Sequence, residues 1–128
     1  MKKVKILLIE DDGDDIDLLR DAFSMNNVSC HFEVVTEGDQ AIPFLEKTHE
    51  LPDVIVMDLN LPKLHGREIL TQIKSSKNLS NIPVVVLTTS SLQDDIKFSY
   101  DMGAKQFITK PNSIEGFNTT VQTIISAI

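Results

Sequence analysis

Three unbroken aliphatic runs constrain the fold of this chain more than any other feature. They are Ile6–Ile9, Val54–Met57 and Val84–Leu87. A strand with one solvent-exposed face alternates polar and apolar residues. A strand in a parallel sheet whose two faces are both covered by helices is apolar throughout. The three runs therefore predict the central strands of a parallel sheet with helices on both sides.

Longer amphipathic segments separate these runs. The first strand is expected to start at Val4, and two more mixed runs, Cys30–Val35 and Gln106–Thr109, suit strands at the sheet edges. Helical spacing predicts helices over Asp15–Met25, Asp39–Lys47, Gly66–Ser75, Ser91–Met102 and Ser113–Ile128. Pro43 is compatible with the predicted helix Asp39–Lys47 only if it lies in the first turn of that helix. Five strand–helix units predict an α/β fold, a doubly wound three-layer sandwich with a parallel five-stranded sheet.

Length and charge narrow the class of protein. The 128 residues favour one domain, residues 1–128. Twelve Lys and Arg against 19 Asp and Glu give a net charge of −7, which argues against nucleic acid or an anionic membrane as partner. No apolar run is long enough for a membrane span. The single cysteine, Cys30, has no partner for an internal disulfide, so we expect a cytoplasmic protein.

Reactive side chains follow four of the five predicted strands. Glu10 and Asp11 follow the first, Asp58 the third, Thr88 the fourth and Lys110 the fifth. Ligands of doubly wound folds bind beyond these carboxyl ends, where the first and third strands would be neighbours. Clustered carboxylates favour a hard cation such as Mg²⁺, and one of them could attack phosphorus as a nucleophile. With an ammonium and a hydroxyl to stabilise the phosphoryl oxygens, this pattern predicts a phosphoryl-acceptor site centred on Asp58.

Four segments of the chain resemble the signatures of response regulator receiver domains. They are Leu7–Asp12, Met57–Pro62, Leu87–Ser90 and Phe107–Pro111, in the family's order and spacing. The resemblance implies a flavodoxin-like (βα)5 fold with strand order 2-1-3-4-5 and a role in two-component phosphorelay signalling. It extends over nearly the whole chain, which implies a stand-alone receiver without an output domain. The narrower likeness is to small receivers that serve phytochrome-type histidine kinases.

The resemblance also implies roles for the residues of the site. Asp58 would accept a phosphoryl group from the phosphohistidine of a sensor histidine kinase or a histidine phosphotransfer protein. Asp11, Asp58 and the backbone carbonyl of Asn60 would hold Mg²⁺ or Mn²⁺, with Glu10 acting through bound water. Lys110 would pair with the phosphoryl oxygens. The protein would then be no enzyme in the usual sense, because it would catalyse only its own phosphorylation and dephosphorylation.

A conformational switch is the last feature that the resemblance implies. Thr88 would move to bond the phosphoryl group, and Phe107 would turn inward behind it. The bond between Lys110 and Pro111 would be cis, as is usual in the family. The face that changes would comprise the fourth helix, the fifth strand and the fifth helix, through which the protein could also form a homodimer.

Two other functions compete with this interpretation. An Asp-x-Asn motif after a central strand also resembles haloacid dehalogenase-type phosphatases, which use an aspartate nucleophile but carry Asp-x-Asp near the chain start. A pseudo-receiver that binds partners without being phosphorylated is the other alternative. Taken one at a time, the residues also have purely structural explanations, since an acidic cluster before a helix commonly caps it.

Overall fold

The computed structural model describes residues 3–128, in which strands and helices alternate along the chain; Met1 and Lys2, included in the predicted domain, lie outside the described residues. The strands are β1 (Val4–Ile9), β2 (Cys30–Val35), β3 (Val54–Met57), β4 (Val84–Thr88) and β5 (Gln106–Thr109). The helices are α1 (Gly13–Met25), α2 (Ala41–Lys47), α3 (Gly66–Ser75), α4 (Gln93–Asp101) and α5 (Ile114–Ser126).

The strands form one parallel sheet in the order β2-β1-β3-β4-β5. The prediction of a flavodoxin-like doubly wound fold is confirmed, and the two mixed runs are the edge strands, as expected. Ile9 at the end of β1 lies beside Met57 at the end of β3. The residues that follow these two strands therefore emerge next to each other, and the amide of Asp58 donates to the carbonyl of Ile9 at 3.0 Å.

Helices cover both faces of the sheet, which explains the unbroken aliphatic runs. Within β3, Ile55 and Met57 belong to the core beneath α2, α3 and α4, whereas Val54 and Val56 belong to the core beneath α1 and α5. All four side chains are fully buried. Polar residues at any of these positions would lose their hydration without a partner, so none is present.

Four helices differ at their starts from the sequence prediction. Helix α4 starts at Gln93 rather than Ser91, and α5 at Ile114 rather than Ser113. The differences in α1 and α2 have a local cause. Helix α1 begins at Gly13 rather than Asp15, because the Asp12 side chain accepts from the amides of Asp14 and Asp15 at 2.9 and 3.3 Å. A 3-10 turn, Gly38–Gln40, precedes α2 and takes up the residues predicted to begin it. Pro43 is the third residue of α2, in the first turn, where a missing N–H costs nothing.

Gly66 fixes the loop that follows Asp58. Its amide donates to the carbonyl of Leu59 at 2.9 Å. A Cβ atom at this position would lie 2.5 Å from Leu59 Cα and 2.6 Å from the carbonyl oxygen of Asp58. Both neighbours are backbone atoms, so a methyl group fits only if the loop that carries the candidate acceptor moves.

We predict that Gly66→Ala lowers the free energy of unfolding by about 1–3 kcal/mol, the usual cost of overpacking. The matched control is Gly13→Ala, because nothing lies within 4 Å of a Cβ built at Gly13; its effect should stay below about 1 kcal/mol. Urea denaturation of the two variants measures the difference. Equal stabilities would show that the Asp58 loop accommodates the methyl group.

Candidate phosphoryl-acceptor site

The side chains predicted from the strand ends meet at one edge of the sheet. Glu10 follows β1, Asp58 follows β3, Thr88 ends β4 and Lys110 follows β5. Three of these residues are buried, with exposed fractions of 3% for Glu10, 4% for Asp58 and 0% for Thr88. Such buried polar groups need partners within the protein, and each of them finds one in this cluster.

Lys110 is the centre of the cluster. Its ammonium nitrogen lies 2.6 Å from Glu10 Oε1, 2.8 Å from Asp58 Oδ2 and 2.8 Å from Asp15 Oδ2. Asp15, in the first turn of α1, was not among the residues predicted from the sequence. The sequence carries one signal that could have found it, since the first turn of a helix that follows a strand faces the same edge of the sheet.

Burial and hydrogen bonding set the charge states of Lys110 and Glu10. Burial alone would lower the pKa of Lys110, but its hydrogen bonds to Asp15, Asp58 and Glu10 raise that pKa above its ordinary value, so the ammonium stays charged. Burial raises the pKa of Glu10 to about 7, against the opposing effect of the Lys110 hydrogen bond. The ionisation of Glu10 is thus sensitive to the charges that surround it in the site.

The carboxylate of Asp58 is held at both oxygens. Oδ1 accepts from the Thr88 hydroxyl at 2.6 Å and from the backbone amide of Asn60 at 3.0 Å. Oδ2 accepts from Lys110 at 2.8 Å. The predicted hydroxyl donor and the predicted cation therefore both contact Asp58, on different oxygens.

Three carboxylates form a group that fits a divalent metal ion. Ligand oxygens of Glu10, Asp11 and Asp58 all lie within 4.8 Å of one another, and Asp11 is exposed to solvent. Carboxylate oxygens are the ligands that Mg²⁺ and Mn²⁺ prefer. The three acids outweigh the single charge of Lys110, so a divalent cation would also relieve their repulsion.

Comparison with known proteins identifies the family. The profile of the response regulator receiver domain matches residues 6–122. The chain belongs to the response regulator receiver domain family. The "Response regulator Rcp1" of Synechocystis sp. is 36% identical over 126 residues, which cover 94% of this chain and 86% of that protein. The family is one of two-component signalling domains rather than a classical enzyme family.

Solved structures of similar proteins share the fold of this receiver domain. The phosphorylated cyanobacterial phytochrome response regulator RcpA aligns with a TM-score of 0.88 and 39% identity, over 96% of this chain and 91% of that one. The Mn²⁺-bound form of Rcp1 aligns with a TM-score of 0.86 and 35% identity, over 96% and 92%. That structure agrees with the fit of the acidic cluster to a divalent metal ion.

The region assigned to the switch lies beside this site. Phe107 of β5 is half-buried against the core beneath α4, and its backbone amide donates to the hydroxyl of Tyr100 at 3.1 Å. Tyr100, on α4, is 46% exposed. The hydroxyl thus connects α4 to the backbone of β5, a contact that the sequence did not reveal.

The prediction of a cis bond between Lys110 and Pro111 is wrong, because no peptide bond among residues 3–128 is cis. With a trans bond the Lys110 amide donates to the carbonyl of Thr88 at 2.7 Å, and its ammonium still reaches all three carboxylates. The structure thus has the isomer that an X–Pro bond intrinsically prefers, by about 0.5–1 kcal/mol.

None of the helices in residues 3–128 is long and apolar enough to span a membrane.

We predict that the receiver domain loses stability without added cation as the pH rises from about 5 to 7. The folded state holds a proton on Glu10 up to about pH 7, whereas the unfolded chain releases it near 4.5. Ionisation in the fold therefore costs up to about 3 kcal/mol over this range. Saturating Mg²⁺ should reduce the loss, because it favours the carboxylate.

Denaturant unfolding at several pH values, compared with Glu10→Gln, measures this effect. The glutamine keeps the size of the side chain but cannot ionise, so the fall in stability should be smaller in the variant. Identical pH dependence in the two proteins would contradict the assignment of the raised pKa to Glu10.

Proposed function

We propose that Asp58 of this receiver domain accepts a phosphoryl group, and that the aspartyl phosphate is the signal. One observation carries the proposal: the buried Asp58 carboxylate is held by the Thr88 hydroxyl and the Lys110 ammonium and lies within 4.8 Å of the Glu10 and Asp11 ligand oxygens. A carboxylate, a cation, a hydroxyl donor and a metal-binding group are the components that phosphoryl transfer to an acid requires.

In the proposed reaction, an oxygen of Asp58 attacks the phosphorus of a phosphohistidine on the donor protein. The new O–P bond forms as the N–P bond breaks, and the bonding pair stays on the imidazole of the donor. Asp11, Asp58 and the backbone carbonyl of Asn60 would hold Mg²⁺ or Mn²⁺, with Glu10 contributing through water. The metal ion would supply positive charge to the acids and to the phosphoryl oxygens.

Lys110 and Thr88 would stabilise the transferred group. Each now donates to one oxygen of Asp58, Lys110 to Oδ2 at 2.8 Å and Thr88 to Oδ1 at 2.6 Å, so each is already beside the carboxylate that would acquire phosphorus. The Lys110 ammonium would move from Asp58 to pair with a phosphoryl oxygen, and its positive charge would offset the negative charge of that oxygen. The Thr88 hydroxyl would turn from Oδ1 of Asp58 to a phosphoryl oxygen, which opens space on the side of Phe107.

The partners we propose follow from the same chemistry. A sensor histidine kinase or a histidine phosphotransfer protein would be the phosphoryl donor, and the similarity to phytochrome response regulators supports the first. The surface that reports the switch would be α4, β5 and α5, where Leu92, Tyr100 and Ile114 are exposed. A homodimer through this face is one way to use it. The free thiol of Cys30 supports a cytoplasmic location.

We predict that a small acyl phosphate with Mg²⁺ adds one phosphoryl group per protein. Asp58→Asn should abolish the adduct, because an amide is not nucleophilic at oxygen in the way a carboxylate is, and a chelator should abolish it in the wild type. Intact-mass spectrometry measures the adduct. The matched control is Asp94→Asn, since Asp94 is an exposed acid in the first turn of α4.

An adduct that persists in Asp58→Asn would contradict the assignment of the acceptor. A wild-type protein that stays unmodified and also fails to bind a beryllium fluoride mimic would favour the pseudo-receiver instead. Steady turnover well beyond one phosphoryl group per protein would favour the phosphatase.

We also predict that Thr88 couples phosphorylation to Tyr100. Tyr100 is the single tyrosine and the chain has no tryptophan, so tyrosine fluorescence reports this residue. If Phe107 turns inward, its amide leaves the Tyr100 hydroxyl, and the emission of wild-type protein should change on phosphorylation. Thr88→Ala should take up the phosphoryl group with less than half of that change.

Thr88→Ser is the matched variant, because it retains the hydroxyl and should respond as the wild type does. A full fluorescence change in phosphorylated Thr88→Ala would show that the Thr88 hydroxyl does not carry the signal.

A further inference from the structure

The three carboxylates around Lys110 belong to two groups. Glu10 and Asp58 are members of the acidic cluster that fits a divalent cation. Asp15 contacts the same ammonium at 2.8 Å but is outside that cluster. Of the three contacts of Lys110, only the one with Asp15 therefore involves a carboxylate that would not bind a cation in the cluster.

A cation and the Lys110 ammonium would compete for the same two carboxylates. The ammonium lies 2.6 Å from Glu10 Oε1 and 2.8 Å from Asp58 Oδ2, so it neutralises part of the negative charge that would attract a metal ion to the site. Because both contacts are charge–charge attractions, a metal ion on these carboxylates would weaken them. The Lys110 side chain is only 8% exposed, and a buried ammonium that loses its partners without reaching water carries a large free-energy cost.

We propose that Asp15 is a positioning residue that retains the Lys110 ammonium beside Asp58 when a divalent cation engages Glu10 and Asp58. The inference rests on the proposed function, since it gives Asp15 a part in preparing the same site. Asp15 is suited to this part because its own amide is tied to the Asp12 side chain at 3.3 Å, which fixes the first turn of α1. Its side chain is 24% exposed, so its carboxylate keeps some contact with water.

Removal of Asp15 then weakens cation binding indirectly. Without it, the ammonium has no partner outside the acidic cluster, and each metal ion that binds must leave Lys110 poorly paired. A charge placed elsewhere on the same turn would attract the cation but would not hold the ammonium. Asp14 provides that comparison, because it is an exposed acid in the first turn of α1 and is not one of the three carboxylates that pair with Lys110.

Isothermal titration calorimetry with Mg²⁺ on the unphosphorylated protein tests the proposal. The variants are Asp15→Asn and Asp14→Asn, each made with Lys110 present and in a Lys110→Met background, which together form a double-mutant cycle. With Lys110 present, Asp15→Asn should raise the Kd for Mg²⁺ at least threefold above that of Asp14→Asn. In the Lys110→Met background, the ratio of the Kd of Asp15→Asn to the Kd of Asp14→Asn should fall by at least half.

A ratio below three overturns the proposal, as does a ratio that does not fall by half without Lys110, because Asp15 would then act on the cation directly. Asp15→Glu, which keeps a carboxylate, should recover more than half of the lost affinity; failure to do so also overturns it. Circular dichroism of each variant confirms the fold before titration.

The titration does not depend on phosphorylation, so the two proposals fail separately. A wild-type protein that binds Mg²⁺ but accepts no phosphoryl group refutes the acceptor role of Asp58 and leaves the test of Asp15 intact. A wild-type protein that binds no Mg²⁺ overturns the role of Asp15 whatever the phosphorylation assay shows.

Discussion

The contacts of one ammonium with three carboxylates organise the functional edge of this molecule. Lys110 follows β5, at one side of the sheet, and reaches Glu10 after β1, Asp58 after β3 and Asp15 in α1. Buried ion pairs of this kind contribute little net stability, because desolvation offsets their attraction. What they fix is geometry: the acids of three separate segments share one cation, and removal of that cation would leave buried charge unpaired.

The parallel sheet makes this convergence possible. Its strands all end at the same edge, so residues far apart in sequence, such as Glu10 and Lys110, become neighbours there. Helices on both faces allow β3 to be wholly apolar and β4 to be apolar until its last residue, Thr88, so the polar residues of the site begin at the ends of these strands. At that edge the buried carboxylate of Asp58 lies beside a solvent-exposed acid, Asp11.

Much of this arrangement could be predicted from the sequence, because it depends on local patterns. Aliphatic runs define the strands, and the residues after them define the site, so Asp58 and Thr88 were found from position alone. Asp15 was missed because an acid in the first turn of a helix has a sufficient local explanation, whereas its partner lies 95 positions away. The predicted isomer of the bond before Pro111 was wrong because it came from the family resemblance and not from a pattern in this chain, and the structure has the trans isomer that an X–Pro bond intrinsically prefers.

A crystal structure of the protein with Mg²⁺ and beryllium fluoride tests the central claim most directly, because it shows which carboxylate behaves as the phosphoryl acceptor. We predict beryllium fluoride on Asp58, hydrogen bonds to it from Lys110 and Thr88, and a metal ion in contact with Asp11 and Asp58. Beryllium fluoride on another carboxylate, or an Asp58 that remains unmodified with Mg²⁺ bound beside it, would contradict the account.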